Sequence, residues 1–209
     1  MTGVQTCALP MSGADALGFI FAESPRRVSP EIARDIVRSL PERIEKVGVF
    51  VNETAERIRE VVKDVGLTGV QLHGREALDV SCTLKAHLGS PGELQVTVAF
   101  PMPLPGDLGE GLFQFGNADR VLFDAAVNGK AGGSGQAWNW ESGKPFLEWF
   151  GDIVKVVVAG GLTPVNVAEA VRILHPWGVD VSSGVEREPG KKDHEKVRAF
   201  ANAAKSAQV

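Results

Sequence analysis

The amino-acid sequence predicts an α/β protein of the (β/α)8, or TIM-barrel, class. From residue 14 onward, short β-branched and apolar runs alternate with stretches of helical periodicity. Such alternation is typical of a parallel sheet, and right-handed crossovers can close a long series of this kind into a barrel. We count seven strands rather than eight, so the sequence predicts an incomplete barrel.

Each predicted strand is a short apolar run bounded by polar or small residues. The seven runs cover residues 14–21, 46–51, 68–74, 94–100, 120–124, 154–158 and 178–181. Helical patterns follow most of them, and the patterns after the third and fifth strands cover about 76–88 and 141–150. Residues 101–116 are rich in proline and glycine, so the helix after the fourth strand must be short or irregular.

Capping residues predict where four of the helices begin. A side-chain oxygen just before a helix can accept a hydrogen bond from one of its unpaired N–H groups. The four predicted capping residues are Ser29, Thr54, Thr163 and Asp193. Pro30 and Pro164 follow two of them, at the first helical position that proline favours.

Composition argues against several classes of function. The chain has 209 residues and a formal net charge of -4, with basic and acidic residues interspersed, so we expect one domain and no nucleic-acid partner. Two distant cysteines, Cys7 and Cys82, do not form a disulfide framework and suit the cytoplasm. No apolar run approaches the ~20 residues that span a bilayer, and no signal peptide is evident.

The last two predicted strands end in small residues. Gly160 and Gly161 follow one strand, and Ser182, Ser183 and Gly184 follow the next. Such loops can bring backbone N–H groups close to a ligand, and many barrels bind phosphate after strands 7 and 8. The alternative is that these glycines only form tight turns. The occurrence of both loops, in this order, favours a phosphate site.

Several motifs together resemble phosphoribosylanthranilate isomerase. They occur in the family's order at residues 13–21, 24–26, 47–52, 70–74, 132–135, 159–167, 180–186 and 189–193. The resemblance runs from about residue 13 to the C-terminus. We therefore expect a barrel domain at residues 13–209 and a segment outside the family pattern at residues 1–12.

The resemblance implies a TIM-barrel enzyme of tryptophan biosynthesis. The family converts N-(5-phosphoribosyl)anthranilate to 1-(o-carboxyphenylamino)-1-deoxyribulose 5-phosphate by an Amadori rearrangement, without a metal or organic cofactor. A general acid protonates the ribose ring oxygen and opens the ring to a Schiff base. A general base then removes the C2′ proton, and the resulting enolamine becomes the ketone. A small sugar phosphate is the implied substrate, and a monomer or homodimer the implied assembly.

The resemblance also implies roles for individual residues. Asp124 matches the family's general acid, which must hold a proton during part of the cycle. Arg26 matches an arginine that faces the anthranilate carboxylate, to which a guanidinium can donate two parallel hydrogen bonds. Gln71 and His73 resemble the polar lining of the site. From sequence alone, Asp124 could instead cap a loop and His73 could be structural.

The remaining implied roles concern phosphate and a possible lid. The residues expected to hold the substrate phosphate are Gly160, Gly161, Ser183 and Gly184. We place Asp180 on one strand with Ser182, so that both share a face of the sheet and Asp180 supports the site. The glycines at residues 132–135 match a mobile stretch over the substrate, or else form a plain flexible loop.

The sequence departs from the family at its N-terminus. The family begins with a strand that ends in a Lys-Ile-Cys-Gly type motif, whose cysteine is the general base, followed by helix 1. Cys7 is present, but it has neither the motif nor the helix, so we do not assign the base to it. We expect strands 2 to 8 of the barrel, with residues 3–9 lying across the gap.

Two alternatives to the isomerase remain open. One is a related sugar-phosphate barrel such as indole-glycerol-phosphate synthase, although its lysine and glutamate positions are not evident here. The other is a truncated fragment that keeps phosphate binding but catalyses nothing. Turnover together with binding of a product analogue separates these hypotheses.

Overall fold

The computed structural model describes residues 13–74, 77–87, 94–102, 118–127, 130–131 and 139–207. These residues divide into two compact units. The N-terminal unit contains the described residues between 15 and 99, together with 118–120. The C-terminal unit contains residues 13–14 and 100–102 and the described residues from 121 onward.

The N-terminal unit is built from parallel strands and the helices that connect them. Its strands are β1 (Ala16–Ile20), β2 (Glu45–Phe50), β3 (Gly69–Leu72) and the first residues of β4 (Gln95–Met102). Its helices are α1 (Pro30–Ser39), α2 (Ala55–Val65) and α3 (Ala77–His87). The strands pair in parallel in chain order, as the alternating sequence pattern predicts.

The first two helices begin where the capping residues predict. The Ser29 hydroxyl accepts a hydrogen bond from the Ile32 N–H at the start of α1. The Thr54 hydroxyl accepts one from the Arg57 N–H at the start of α2. In both interactions the two residues are only three positions apart, which is why the sequence alone could predict them.

Apolar side chains from the strands and helices form the core of this unit. Fully or almost fully buried examples are Phe19, Phe50, Ile58, Val70, Leu72 and Leu84. Cys82 lies in the weak helical pattern at about 76–88, from which we predict a core position, but this prediction is wrong because its side chain is exposed. The buried stripe of α3 instead runs through Ala77, Ser81 and Leu84, which share one face at helical spacing.

The C-terminal unit holds the later part of the alternation. Its strands are β5 (Arg120–Val127, in this unit from Val121), β6 (Lys130–Ala131), β7 (Lys155–Val158), β8 (Gly178–Val179), β9 (Glu186–Glu188) and β10 (Lys191–Lys192). Its helices are α4 (Trp140–Gly151), α5 (Val167–Leu174) and α6 (His194–Ser206), with a 3₁₀ turn at Ser183–Val185.

Neighbouring strands of this unit are joined at their ends. The Ala159 N–H donates to the Phe123 carbonyl over 2.7 Å, which ties the residue after β7 to β5. β7 pairs in parallel with β8, where Val157 lies opposite Gly178. Phe123 also packs edge-on against Phe150 of α4, with ring centroids 5.2 Å apart. These contacts fix the ends of β5, β7 and β8 relative to one another.

Two predicted boundaries in the C-terminal unit are wrong. α5 begins at Val167 with Asn166 as its N-cap, rather than after Thr163. β8 ends at Val179, so Asp180 and Ser182 do not lie on one strand as predicted. The prediction for α6 is confirmed, because the Asp193 carboxylate accepts hydrogen bonds from the Glu195 and Lys196 N–H groups.

Seven of the strands follow the βα alternation, namely β1 to β5, β7 and β8, in agreement with the sequence. None of the helices in the described ranges is long and apolar enough to cross a membrane. The predictions for Cys7, for residues 3–9 as a substitute strand and for the glycine stretch at 132–135 lie outside the described residues. So does most of the stretch at 101–116.

Candidate active site

Asp124 lies within β5, and its side chain is buried with 8% exposure. The sequence placed this residue at the end of its strand, whereas β5 continues to Val127. The extension pairs in antiparallel fashion with β6, where Ala126 lies opposite Ala131. The strand is therefore longer than predicted because its last residues form a hairpin, a pairing that a local pattern does not reveal.

The environment of Asp124 raises the affinity of its carboxyl group for a proton. Burial is the largest cause and the negative charge of Asp180 the second, while the Ala125 N–H acts in the opposite direction. Together they raise the pKa of Asp124 from 3.8 to about 6. A carboxyl group with such a pKa can donate a proton near neutral pH, as a general acid must.

Asp180 lies just after β8, where its N–H donates to the Val158 carbonyl over 2.9 Å. Protein atoms surround its carboxylate densely, which raises its pKa, while the nearby charge of Lys192 lowers it. Its side chain is exposed, whereas that of Asp124 is only 8% exposed. Contact with solvent and the charge of Lys192 both favour the ionised form of the Asp180 carboxyl group.

The first glycine loop lies directly against Asp124. Gly160 and Gly161 have φ angles of 84° and 67°, in the region that L side chains rarely adopt. A Cβ on Gly160 would come within 2.2 Å of the Ala125 nitrogen and 2.7 Å of an Asp124 carboxylate oxygen. Glycine is therefore required here so that the loop can pack against β5.

Asn166 braces this first loop through its side-chain amide. Its Oδ1 accepts a hydrogen bond from the Thr163 N–H over 2.7 Å, and its Nδ2 donates to the Gly161 carbonyl over 3.0 Å. Sequence reasoning missed this role, because both hydrogen bonds run back to earlier residues and none caps the helix that follows. A capping pattern therefore gives no signal for it.

The second glycine loop packs on the first. A Cβ on Gly184 would lie 1.9 Å from the Leu162 carbonyl oxygen, so the two loops are in backbone contact at this point. The Ser182 carbonyl accepts a hydrogen bond from the Lys192 ammonium group over 2.8 Å. The same ammonium lies 3.2 Å from a carboxylate oxygen of Glu186, whose side chain is 5% exposed.

The remaining predicted site residues belong to the N-terminal unit. Arg26 lies in the loop after β1, where its backbone N–H donates to the Ser24 hydroxyl. Its side chain is half-buried. Gln71 lies in β3 and His73 directly after it, with the Gln71 Nε2 and His73 Nδ1 atoms 3.5 Å apart. Burial lowers the pKa of His73, so the imidazole is neutral at pH 7.

The structure thus brings most of the predicted residues together in two sets. In the C-terminal unit, Asp124 contacts the Gly160 loop and responds to the charge of Asp180, while Gly184 joins the two loops. In the N-terminal unit, Gln71 and His73 lie side by side. Within the part of the chain that the structure describes, no group of three His, Cys, Asp or Glu side chains could hold a metal ion.

Comparison with solved structures assigns the chain to the TIM-barrel type of fold. A phosphoribosyl anthranilate isomerase from Thermotoga maritima superimposes with a TM-score of 0.84 and 36% identity, covering 99% of this chain and 96% of that one. A phosphoribosyl anthranilate isomerase in complex with reduced 1-(o-carboxyphenylamino)-1-deoxyribulose 5-phosphate gives 0.81 and 34%, covering 99% and 95%.

Sequence comparison identifies the family. The sequence model of N-(5'-phosphoribosyl)anthranilate (PRA) isomerase matches residues 3–203. The N-(5'-phosphoribosyl)anthranilate isomerase of Bacillus cereus strain AH187 is 41% identical over 197 residues, covering 92% of this chain and 88% of the relative. The chain therefore belongs to the N-(5'-phosphoribosyl)anthranilate isomerase family, as its motifs predict.

Proposed function

We propose that this chain catalyses the rearrangement of N-(5-phosphoribosyl)anthranilate to 1-(o-carboxyphenylamino)-1-deoxyribulose 5-phosphate. Membership of the isomerase family supports the activity. The related structure in complex with the reduced form of this product supports the choice of substrate. The observation that carries the proposal is a buried Asp124 with a pKa of about 6, packed against a glycine loop.

In this proposal Asp124 protonates the ribose ring oxygen and opens the ring. With a pKa of about 6, on the order of a tenth of the free enzyme carries the proton at pH 7. The dianionic phosphate of a bound substrate would raise this fraction further, because added negative charge favours the protonated carboxyl group. The negative charge of Asp180 also raises the pKa of Asp124, whether or not substrate is bound. Asp180 is therefore a supporting residue rather than a second acid.

The phosphate of the substrate is assigned to the two glycine loops. Gly160, Gly161, Ser183 and Gly184 can offer backbone N–H groups without obstruction by large side chains. The braces from Asn166 and Lys192 support this assignment, because preorganised donors need no rearrangement when the anion arrives.

The anthranilate end of the substrate is assigned to residues of the N-terminal unit. Arg26 binds the carboxylate, since a guanidinium matches a planar carboxylate with two donors. Gln71 and His73 provide neutral polar contacts, and the lowered pKa of His73 keeps its ring uncharged. No metal or organic cofactor takes part in the proposed reaction. The general base is left unassigned.

Substitution of Asp124 with asparagine tests the acid. We expect loss of turnover by at least about a hundredfold, because general acid catalysis typically contributes that much. Turnover is followed as the loss of substrate fluorescence. Asp152→Asn, a change at an exposed aspartate after α4, is the matched control and should retain activity. In the wild type, kcat/KM should fall as pH rises through about 6, because the acid loses its proton.

The possible outcomes separate the competing functions. Equal activity in wild type and Asp124→Asn would contradict the acid role. Phosphate binding without turnover in the wild type would favour a non-catalytic fragment. Formation of indole-glycerol phosphate from the rearranged product would instead indicate the related synthase.

Four further expectations accompany the proposal. The domain boundary at residue 13 stays a prediction, and the match of the family model begins upstream of it, at residue 3. An incomplete barrel likewise stays a prediction. A relative from Thermotoga maritima is described as dimeric, so a monomer and a homodimer both stay predictions for this chain. The cytoplasm is the expected location.

A further inference from the structure

Lys192 lies at the end of a short hairpin and reaches back to the second glycine loop. β9 and β10 form the hairpin, and Lys192 is opposite Glu186 in its register. Its ammonium group donates to the Ser182 carbonyl over 2.8 Å and lies 3.2 Å from the Glu186 carboxylate. Ten residues of chain separate Lys192 from Ser182, so the contact is a tertiary one.

The contact fixes the orientation of one peptide group. A trans peptide is planar, and its C=O and N–H bonds point in opposite directions. When Lys192 holds the Ser182 carbonyl, the N–H of Ser183 must therefore point away from the ammonium group. Ser183 is one of the residues assigned to the phosphate, and its N–H is the donor that this arrangement presents.

The positive charge also has an electrostatic effect. The hydrogen bond polarises the peptide, because the donor is an ion, and so strengthens the N–H at the other end. The charge acts on Asp180 as well, since Lys192 lowers the pKa of that carboxyl group and thereby favours its ionised form. Lys192 thus contacts one phosphate loop and influences the carboxylate beside Asp124.

Glu186 holds the lysine in place. Its side chain is 5% exposed, and its backbone carbonyl accepts a hydrogen bond from the Lys196 ammonium group over 3.0 Å. The Glu186 N–H donates to the Ser183 carbonyl, so the residue is also part of the 3₁₀ turn. The backbone of Glu186 is thus held at two points and its side chain is buried, and the ammonium group of Lys192 lies between its carboxylate and the Ser182 carbonyl.

We infer that Lys192, confined by Glu186, is a positioning residue that presents the Ser183 N–H to the phosphate group of the substrate. The inference rests on the proposed phosphate site. It goes beyond that site because Lys192 itself does not touch the anion. Its effect is transmitted through the Ser182–Ser183 peptide.

A simpler role would be that Lys192 only stabilises the hairpin. Lys191 is the internal comparison, because it occupies the same hairpin and pairs with Glu188 over 2.6 Å. That pair is exposed, with side-chain exposures of 43% and 55%, and it makes no contact with either glycine loop among the hydrogen bonds described. A purely structural role predicts that replacing either lysine changes the affinity for phosphate to a similar extent. A positioning role predicts that replacing Lys192 weakens phosphate binding more than replacing Lys191.

The experiment compares phosphate binding and turnover in matched variants. Lys192→Met alone would remove the lysine partner of the buried Glu186 carboxylate and could unfold the chain. We therefore combine Lys192→Met with Glu186→Gln and use Glu186→Gln alone as the reference. Lys191→Met is the second control. Each variant is titrated with inorganic phosphate by calorimetry, after a thermal melt shows that it is folded.

The double variant should bind inorganic phosphate about tenfold more weakly than the Glu186→Gln reference, since a charge-assisted contact to the loop is lost. Its KM for the proposed substrate should rise by a similar factor, with a smaller change in kcat, because the phosphate is remote from the reacting atoms. Lys191→Met should bind phosphate within about twofold of wild type, as expected for an exposed pair.

Two results would overturn the inference. One is equal phosphate affinity in the double variant and in Glu186→Gln. The other is a wild-type chain that does not bind phosphate at all. A wild type that binds phosphate but does not turn over the substrate would contradict the proposed function alone, because the phosphate titration still tests Lys192.

Discussion

The two glycine loops of the C-terminal unit lie in backbone contact with each other, yet they are braced in different ways. The first, at Gly160 and Gly161, is held by the neutral amide of Asn166, a few residues further along the chain. The second, at Ser182 to Gly184, is held by the ammonium group of Lys192, which comes from a separate hairpin and is paired with Glu186.

The difference shows how position determines what a brace can do. A local amide fixes the loop without adding charge, and it can form as soon as the loop and its helix form. A lysine from a distant strand requires the hairpin to be complete, but it adds a positive charge near a site proposed for an anion. The first loop also touches Asp124, whereas the second touches the Leu162 carbonyl of the first.

Adding a methyl group to either loop should have the largest effect on stability. In Gly184→Ala the new Cβ would meet the Leu162 carbonyl oxygen at 1.9 Å, and in Gly160→Ala it would meet the Ala125 nitrogen at 2.2 Å. We expect each change to lower the free energy of unfolding by about 3 kcal/mol or more. Denaturant unfolding measures this.

Gly151→Ala is the control for the glycine variants, because a Cβ there meets no atom within 4 Å. Its free energy of unfolding should change by less than about 1 kcal/mol. Gly160→Ala should in addition disturb the acid, since its Cβ would lie 2.7 Å from Asp124, whereas Gly184→Ala should act on the loops. Equal stability of Gly160→Ala and Gly151→Ala would contradict the close packing.

The acid beside the first loop should give the next largest effect. The folded-state pKa of Asp124 is raised from 3.8 to about 6, so its stabilising contribution is complete below pH 3.8 and is lost as pH rises through 6. The shift of about 6 − 3.8 = 2.2 pKa units corresponds to roughly 3 kcal/mol. Asp124→Asn should therefore be more stable than wild type at pH 8, by up to about 3 kcal/mol.

Urea unfolding from about pH 4 to about pH 8 measures this difference, which should shrink towards zero at the acidic end. Asp152→Asn, at an exposed position, should not reproduce the trend. A gap between Asp124→Asn and wild type that stays constant with pH would exclude the raised pKa as its cause.

Removal of the local brace should have the smallest of these effects. Asn166→Ala deletes the two hydrogen bonds to Thr163 and Gly161 and should cost about 1–2 kcal/mol of stability. All the groups involved are uncharged, so the loss should be the same at low and high salt. The effect of replacing Lys192 should instead weaken as salt screens its charge. Thermal melts of the Asn166 and Lys192 variants at two salt concentrations compare the two losses of stability. An equal salt dependence of the two losses would remove the distinction between the braces.

The sequence predicted the features that depend on neighbouring residues. Ser29, Thr54 and Asp193 were correct because an N-cap acts within three residues of itself. The helix predicted directly after Thr163 begins only at Val167. The Thr163 hydroxyl does accept a hydrogen bond from the Val165 N–H over 3.3 Å, but residues 164–166 form a turn rather than the first turn of α5. The seven strands were predicted from their short apolar runs, although the residues at which several of them end were not.

Features of the site that depend on tertiary contacts were not predicted. Gly160 and Gly184 were expected to be small so that their N–H groups could approach a ligand. The structure adds a different reason, which is that a Cβ at either position would collide with neighbouring backbone. The contact of Lys192 with Ser182 depends on the register of β9 and β10, and a single sequence does not specify that register.

The register of that hairpin determines which side chain lies opposite Lys192. Lys191 lies opposite Glu188, and the pairing then shifts by one residue, so that Lys192 lies opposite Glu186 instead of Arg187. With all residues kept, a regular ladder without this shift would place Lys192 beside Arg187. Natural variants of this segment should therefore accept many substitutions at the exposed Arg187 and Pro189, provided that the pairing of Lys192 with Glu186 is retained.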